Sequence, residues 1–214
     1  MSPSRFYYTK LSQASVLLPI IAGLRYYKRL NPAFRIFLYF FFIGIGTEWA
    51  MTNSLKLYHN KNNMPIGHFF VLVEFLVFSL MYYLHYREQR VGRLLIVINT
   101  LVGVGMVLVG VWKTSIWGYP TLGRCYSAAS LTLYALIYFF FLFKDIKQDG
   151  RGEPMFWLSV GALVYFGINI FYFLFSSYLL RKAVFVESAG WLFHGALNII
   201  AHCLYAKAFT CFRK

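Results

Sequence analysis

The sequence predicts an all-α membrane protein, a single bundle of seven transmembrane helices. Of the 214 residues, 59% are hydrophobic and only 13% are charged, whereas a soluble domain carries about 25% charged residues. The apolar residues form seven runs, each close to the ~20 residues that a spanning helix needs. The Lys and Arg residues gather between these runs, as expected of anchors at a membrane surface.

The seven runs are separated by charged residues, prolines and glycines. Pro65 and Pro154 precede the third and sixth runs, where a helix start has no use for the missing N–H group. Pro19 lies inside the first run, so we expect that helix to bend there. The predicted spans are 10–26, 36–57, 66–86, 93–112, 122–143, 155–178 and 188–208, within one transmembrane domain of residues 1–214.

The distribution of Lys and Arg predicts the orientation, because cytoplasmic loops carry the excess of positive charge. The termini and the loops between the spans fall alternately on the two sides of the membrane. One side holds 13 of the 21 Lys and Arg residues, and the other side holds 8. We therefore expect the N-terminus outside the cell and the C-terminus in the cytoplasm. The predicted cytoplasmic set is Arg25, Lys28, Arg29, Arg35, Arg87, Arg90, Arg93, Lys144, Lys147, Arg151, Lys207, Arg213 and Lys214. The predicted outer set is Arg5, Lys10, Lys56, Lys61, Lys113, Arg124, Arg181 and Lys182.

The net charge of +14 also occurs in nucleic-acid-binding proteins. Loops as short as these form no basic groove, so we expect no nucleic-acid partner. Basic residues at the ends of apolar runs indicate contact with membrane lipids instead. The basic inner loops also offer a docking surface for a cytoplasmic protein.

Polar side chains inside the spans mark where a function would lie, because ionisable groups in hydrocarbon are energetically costly. With a rise of about 1.5 Å per residue, five of them fall in the outer half of the membrane or near its midplane. They would line a polar cavity open to the outer side if their helices are neighbours. The five are Glu48, Glu74, Asn169, His194 and Asn198, with Asn53, His68 and His202 as secondary candidates.

The last span carries a polar stripe. His194, Asn198 and His202 are spaced at i, i+4 and i+8, so they share one slowly turning helix face. We expect this face to point into the bundle rather than toward lipid. Small residues predict close helix contacts elsewhere. These are Gly44, Gly46, Gly103, Gly105 and residues 127–130.

The chemistry of the polar residues leaves several roles open. Glu48 and Glu74 are candidates for a proton carrier, a metal ligand or the counter-charge of a cationic ligand, and otherwise for protonated acids between helices. Together with His194 they are also a candidate zinc site with an open position for water. Otherwise His194 bridges helices as a neutral ring. No other cofactor is indicated, and the middle of the last span lacks the lysine of a retinal Schiff base.

Short motifs are spread over nearly the whole chain. They are residues 18–24 followed by basic residues, Thr47-Glu48, Glu74-Phe75, Phe156-Trp157 with Gly161, Tyr165, Gly167 and Asn169, and His194 with Asn198. Together they resemble small seven-helix membrane proteins of Bacteroidota, a group to which no activity is assigned. The resemblance implies a multi-pass protein of the inner membrane of a Gram-negative cell. His202 lies outside the resembling pattern.

Three functions remain open at this point. The leading hypothesis is a protein that binds or senses a small or lipidic ligand in a polar cavity in the outer half of the bundle. The second is a membrane-embedded lipid hydrolase, with or without a metal ion. The third is a small proton-coupled transporter that uses Glu48 and Glu74. The sequence alone does not decide whether the protein is an enzyme.

Overall fold

The computed structural model describes residues 3–57, 62–86, 89–144, 150–181 and 189–213. These residues form helices joined by short connections, and no β-strand occurs among them. The prediction of an all-α chain is therefore confirmed for the described residues. The helices are α1 (Pro3–Ala14), α2 (Leu17–Arg25), α3 (Pro32–Leu57), α4 (Met64–His85), α5 (Arg90–Thr114), α6 (Thr121–Lys144), α7 (Pro154–Ala162), α8 (Ile168–Arg181) and α9 (Ala189–Thr210).

Among the described residues, five helical segments are long and apolar enough to cross a membrane. They correspond, with small shifts at their ends, to the second through sixth predicted runs. The first run forms α1 and α2, and the seventh forms α9. The five segments are Pro32–Ser54, Met64–His85, Arg90–Thr114, Thr121–Lys144 and Pro154–Ser176.

The outward surface of the bundle is strongly apolar. On α5, Leu94, Leu101 and Leu108 are spaced seven residues apart, and 59%, 67% and 64% of their surfaces are exposed. An apolar face of this extent is unfavourable in water, and it fits contact with lipid. The helices and their surfaces are those of a helical membrane protein.

The first predicted span consists of two helices rather than one bent helix, with the break at Ser15 and Val16. Pro19 explains the position of the break. It has no N–H to donate to the Ser15 carbonyl four residues earlier, and its ring would collide with that carbonyl. The Ser15 carbonyl instead accepts a hydrogen bond of 3.0 Å from the N–H of Leu18. The chain therefore breaks one turn before the proline.

The sixth predicted span contains a π-helical turn, Leu163–Gly167, between α7 and α8. Such a turn inserts an extra residue, so the face presented after it is rotated relative to the face before it. The sequence did not predict this feature. Tyr165 within the turn and Tyr172 after it both face the cavity described below. π-Turns within α-helices are frequent at functional sites.

The helices pack in a ring that follows the order of the chain. Each of α3, α4 and α5 contacts the next helix, α6 contacts α7 and α8, and α9 contacts both α7 and α2. An aromatic core fills one part of the bundle. There the ring of Phe37 on α3 lies 5.4 Å from the rings of Phe78 on α4 and Tyr205 on α9. The helices that carry the predicted polar residues therefore surround one common core.

Candidate functional site

A cavity of about 300 Å³ lies between α3, α4, α6, α8 and α9. Its volume is at the lower end of the roughly 300–1,000 Å³ found for small-molecule sites. Four of the five main sequence-predicted residues line its wall, namely Glu48, Glu74, His194 and Asn198. The fifth, Asn169, is fully buried and hydrogen-bonds to His194. The structure thus brings these five residues together.

Glu48 lies at the rim of the cavity, where α1 approaches α3. It is exposed, and its carboxylate accepts a hydrogen bond of 2.6 Å from Nε2 of Gln13. A smaller adjoining cavity of about 100 Å³ continues from this point past Tyr8 and Ser12. Glu48 is therefore placed to meet a ligand at the entrance.

Glu74 lies deeper and is buried, with 7% of its surface exposed. Its charged neighbour is Arg124 on α6, which attracts the carboxylate electrostatically. Phe75 follows Glu74 in the chain, and Tyr126 lies two residues after Arg124. The ring centroids of Phe75 and Tyr126 are 6.3 Å apart. Glu74 and Arg124 therefore lie at a similar level on neighbouring helices, and both face the cavity.

Arg124 is the main site residue that the sequence does not predict, since its charge groups it with the cations of the outer loops. In the structure it lies in the first turn of α6 and lines the cavity. Its guanidinium carbon is 5.3 Å from the ring centroid of Phe173 and 6.0 Å from that of Tyr119. Tyr165 lines the same cavity. A usable signal existed, since position 124 lies inside the predicted span 122–143 and charges there are rare.

His194 is held in a fixed orientation by its neighbours. Its Nδ1 lies 3.0 Å from Oδ1 of Asn169. Since an amide oxygen only accepts, Nδ1 carries the proton, and Nε2 of the neutral ring is an acceptor. The ring is stacked on Tyr172 at 5.1 Å and meets the edge of Phe173 at 5.9 Å. His194 is thus an oriented polar group in an aromatic surrounding.

Asn198 and His202 connect α9 to the junction between α1 and α2. Nδ2 of Asn198 donates to Oγ of Ser12 at 3.3 Å, and that hydroxyl donates to the carbonyl of Gly195 at 3.2 Å. Nδ1 of His202 lies 2.7 Å from Oγ of Ser15. The polar stripe of the last span therefore faces the bundle interior. Its side chains fasten the first two helices and also form part of the cavity wall.

Asn53 and His68 line neither of these two cavities. Asn53 is half-buried on α3. His68 is buried, and its Nε2 donates a hydrogen bond of 2.9 Å to the carbonyl of Gly118. This bond fastens the connection between α5 and α6, which carries Tyr119 of the cavity wall. His68 thus acts on the site indirectly.

Glu48, Glu74 and His194 are the residues that the sequence offers as metal ligands. Within the described residues, no three His, Cys, Asp or Glu side chains are grouped so that they could hold a metal ion. The three candidates line the same cavity but do not form such a group.

The cavity combines one buried acid, one arginine, an oriented histidine and aromatic walls. The chain matches no protein-family model, no curated protein and no solved structure. The chemistry of this cavity is therefore the feature of the chain that points to a function.

Proposed function

We propose that this chain is a seven-span membrane protein that binds a small or lipidic ligand in the cavity between α3, α4, α6, α8 and α9. The observation that carries the proposal is one cavity of about 300 Å³ on whose wall Glu74, Arg124 and His194 meet. An apolar wall with a few convergent polar groups is typical of ligand sites. The apolar wall is formed largely by Phe40, Phe41, Phe70, Phe78, Phe166 and Phe173.

The proposed arrangement counts α1 with α2 as the first crossing and α9 as the seventh. α9 has 22 residues, and at a rise of about 1.5 Å per residue it is long enough for a hydrocarbon core of ~30 Å. Its polar residues face protein, so they need not contact lipid. The hydroxyl of Tyr8 on α1 donates a hydrogen bond of 2.6 Å to the carbonyl of Leu192 on α9. The first and last crossings are therefore paired.

Contacts at the two ends of the bundle support the proposed grouping of the loops on two sides of the membrane. Arg29 donates a hydrogen bond to the carbonyl of Arg213, so two predicted cytoplasmic segments meet. Asn62 donates to the carbonyl of Trp117 at 2.6 Å, which joins two predicted outer segments. In this orientation the cavity lies toward the outer side of the inner membrane of a Gram-negative cell. The ligand enters past Glu48 from the outer side.

Filling the cavity tests the proposed function. Gly44 lines it, and a side chain at this position would begin 3.8 Å from the ring of Phe70. The substitution Gly44→Leu therefore occupies space that the ligand needs. Gly46 is the matched control, because a Cβ added there meets no described residue within 4 Å and the position lies outside the cavity wall.

Native mass spectrometry of the gently solubilised protein provides the measurement. We expect wild type and Gly46→Leu to carry the same bound species, and Gly44→Leu to lose occupancy by about tenfold. Equal occupancy in the two glycine variants, or no bound species in wild type, would contradict the proposal.

A further inference from the structure

Arg124 has hydrogen-bonding capacity that the protein does not fill. Its Nε is buried and makes no hydrogen bond within the part of the chain that the structure describes. The side chain as a whole is half-buried, because its remaining surface borders the cavity. Phe173 and Tyr119 lie against its guanidinium. Such a group presents a row of N–H donors that matches the oxygens of a carboxylate or phosphate.

Glu74 places the opposite charge on the same wall. A purely anionic ligand would bring its charge close to this carboxylate, and a purely cationic ligand would bring its charge close to Arg124. A ligand with both charges pairs with each group and adds no net charge to a poorly solvated cavity, where unpaired ions are strongly disfavoured. The rings of Tyr165 and Tyr172 border the same space and also favour an ammonium group.

We propose that the cavity binds a zwitterion whose anionic oxygens pair with Arg124 and whose ammonium pairs with Glu74. This inference rests on the proposed ligand-binding function and names its ligand class. Two sources share this chemistry, a free amino acid with an apolar side chain and the headgroup of phosphatidylethanolamine. The phenylalanines of the wall are suited to the amino-acid side chain or to the beginning of an acyl chain.

The free amino acids are tested with matched analogues. Leucine, methionine and phenylalanine are titrated against the purified protein by calorimetry, each beside its deaminated acid and its decarboxylated amine. If the source is soluble, at least one amino acid binds about tenfold or more tightly than both of its singly charged analogues, because only the zwitterion pairs with both groups.

The lipid source is tested in nanodiscs that contain phosphatidylethanolamine and phosphatidylglycerol in equal amounts. Lipids that remain bound after the protein is transferred to detergent are measured by mass spectrometry. If the source is the membrane, wild type retains phosphatidylethanolamine in preference to phosphatidylglycerol.

Substitutions connect the binding to the two charges. We expect Arg124→Gln and Glu74→Gln each to lower the affinity for the preferred zwitterion about ten- to hundredfold, because a charge-assisted hydrogen bond is lost. Arg124→Lys keeps the charge but lacks the planar fork, so it should weaken binding less. This variant also keeps the test decisive if Arg124→Gln does not fold. Arg93→Gln is the matched control. Nε of Arg93 is also buried and makes no hydrogen bond to any described residue, and its guanidinium lies 5.9 Å from the Tyr83 ring, outside the cavity wall.

Two results would overturn the proposal that the ligand is a zwitterion. One is that neither the amino acids nor phosphatidylethanolamine binds in preference to its singly charged counterparts. The other is that the Arg124 and Glu74 variants bind as wild type does. If Gly44→Leu still removes the bound species in that case, ligand binding in the cavity stands and only its proposed charge class is wrong.

Discussion

Asn169 and His194 show at the scale of single residues how the cavity is held in shape. Asn169 is fully buried behind the wall, and its Oδ1 accepts a hydrogen bond from His194, which lies on the wall. Asn169 is therefore a positioning residue that fixes the histidine ring. His68 has a comparable role, since it holds the connection that precedes α6 through the Gly118 carbonyl. Such buried pairs restrict side-chain orientation because an unpaired polar group is costly.

Replacing Asn169 by leucine tests this role. The substitution conserves the approximate size but leaves the Nδ1–H of His194 without its acceptor. We expect the free energy of unfolding to fall by about 1–3 kcal/mol, measured in mixed micelles by tryptophan fluorescence. The control is Asn53→Leu, a half-buried position outside the cavity wall, for which a change within about 0.5 kcal/mol is expected. Equal losses in both variants would contradict a specific role for Asn169.

At the scale of helices, Gly103 marks a tight contact of α5 with its neighbours. A methyl group there would collide with the ring of Phe75 on α4 and would lie 3.1 Å from the ring of Tyr126 on α6. A methyl group at Gly105, two residues further along the chain, has no atom of the described part of the chain within 4 Å. The sequence predicts both glycines as contact residues, but only Gly103 lies where two other helices converge. Small residues at such points let apolar helices pack in lipid.

The two glycines provide a matched pair of substitutions. Gly103→Ala should lower the free energy of unfolding by about 1–3 kcal/mol, because the rings of α4 and α6 must shift to admit the methyl group. Gly105→Ala should leave stability unchanged or raise it by about 0.5–1 kcal/mol, because alanine favours the helix. Both are measured by denaturant unfolding in the same micelles. A loss in Gly105→Ala as large as in Gly103→Ala would contradict the packing described.

At the scale of the whole molecule, four described members of the predicted cytoplasmic set are connected in two pairs, Lys207 with Arg151 and Arg29 with Arg213. Arg87, Lys147 and Lys214 of that set lie outside the described residues. The ammonium of Lys207 lies 5.7 Å from the ring of Trp157, whose indole N–H donates to the carbonyl of Arg151 at 2.8 Å. The guanidinium of Arg29 donates a hydrogen bond to the carbonyl of Arg213. The charge asymmetry of the sequence thus becomes a basic end of the bundle, which is suited to anionic lipid headgroups and remains the predicted docking surface for a cytoplasmic protein.

The proposed orientation predicts from which side of the membrane a cysteine at each end of the bundle can be labelled. After replacement of Cys125, Cys203 and Cys211 by serine, two exposed lysines are changed one at a time, Lys28→Cys and Lys113→Cys. A membrane-impermeant maleimide applied to intact spheroplasts should label position 113 and leave position 28 unlabelled until the membrane is opened. Labelling of position 28 from outside, or of both positions, would contradict seven spans with the N-terminus outside.

The sequence by itself determined the helices and the approximate depth of their polar groups. In lipid, backbone N–H and C=O groups must be satisfied within each helix, so apolar runs become helices whatever surrounds them. The break before Pro19 is equally local, because the proline acts on the carbonyl four residues earlier. Depth follows from the fixed rise per residue, which is why Glu74 and His194 could be assigned to one layer before their helices were known to be neighbours.

Only the tertiary structure decided which of these groups meet. It made Arg124 a wall residue, placed Glu48 at the rim and turned His68 toward a loop carbonyl. The direction a side chain takes around its helix axis depends on residues far away in the chain, as in the bond between Asn198 and Ser12, which are 186 positions apart. No local pattern encodes such a pairing, because it arises from the packing of several helices at once.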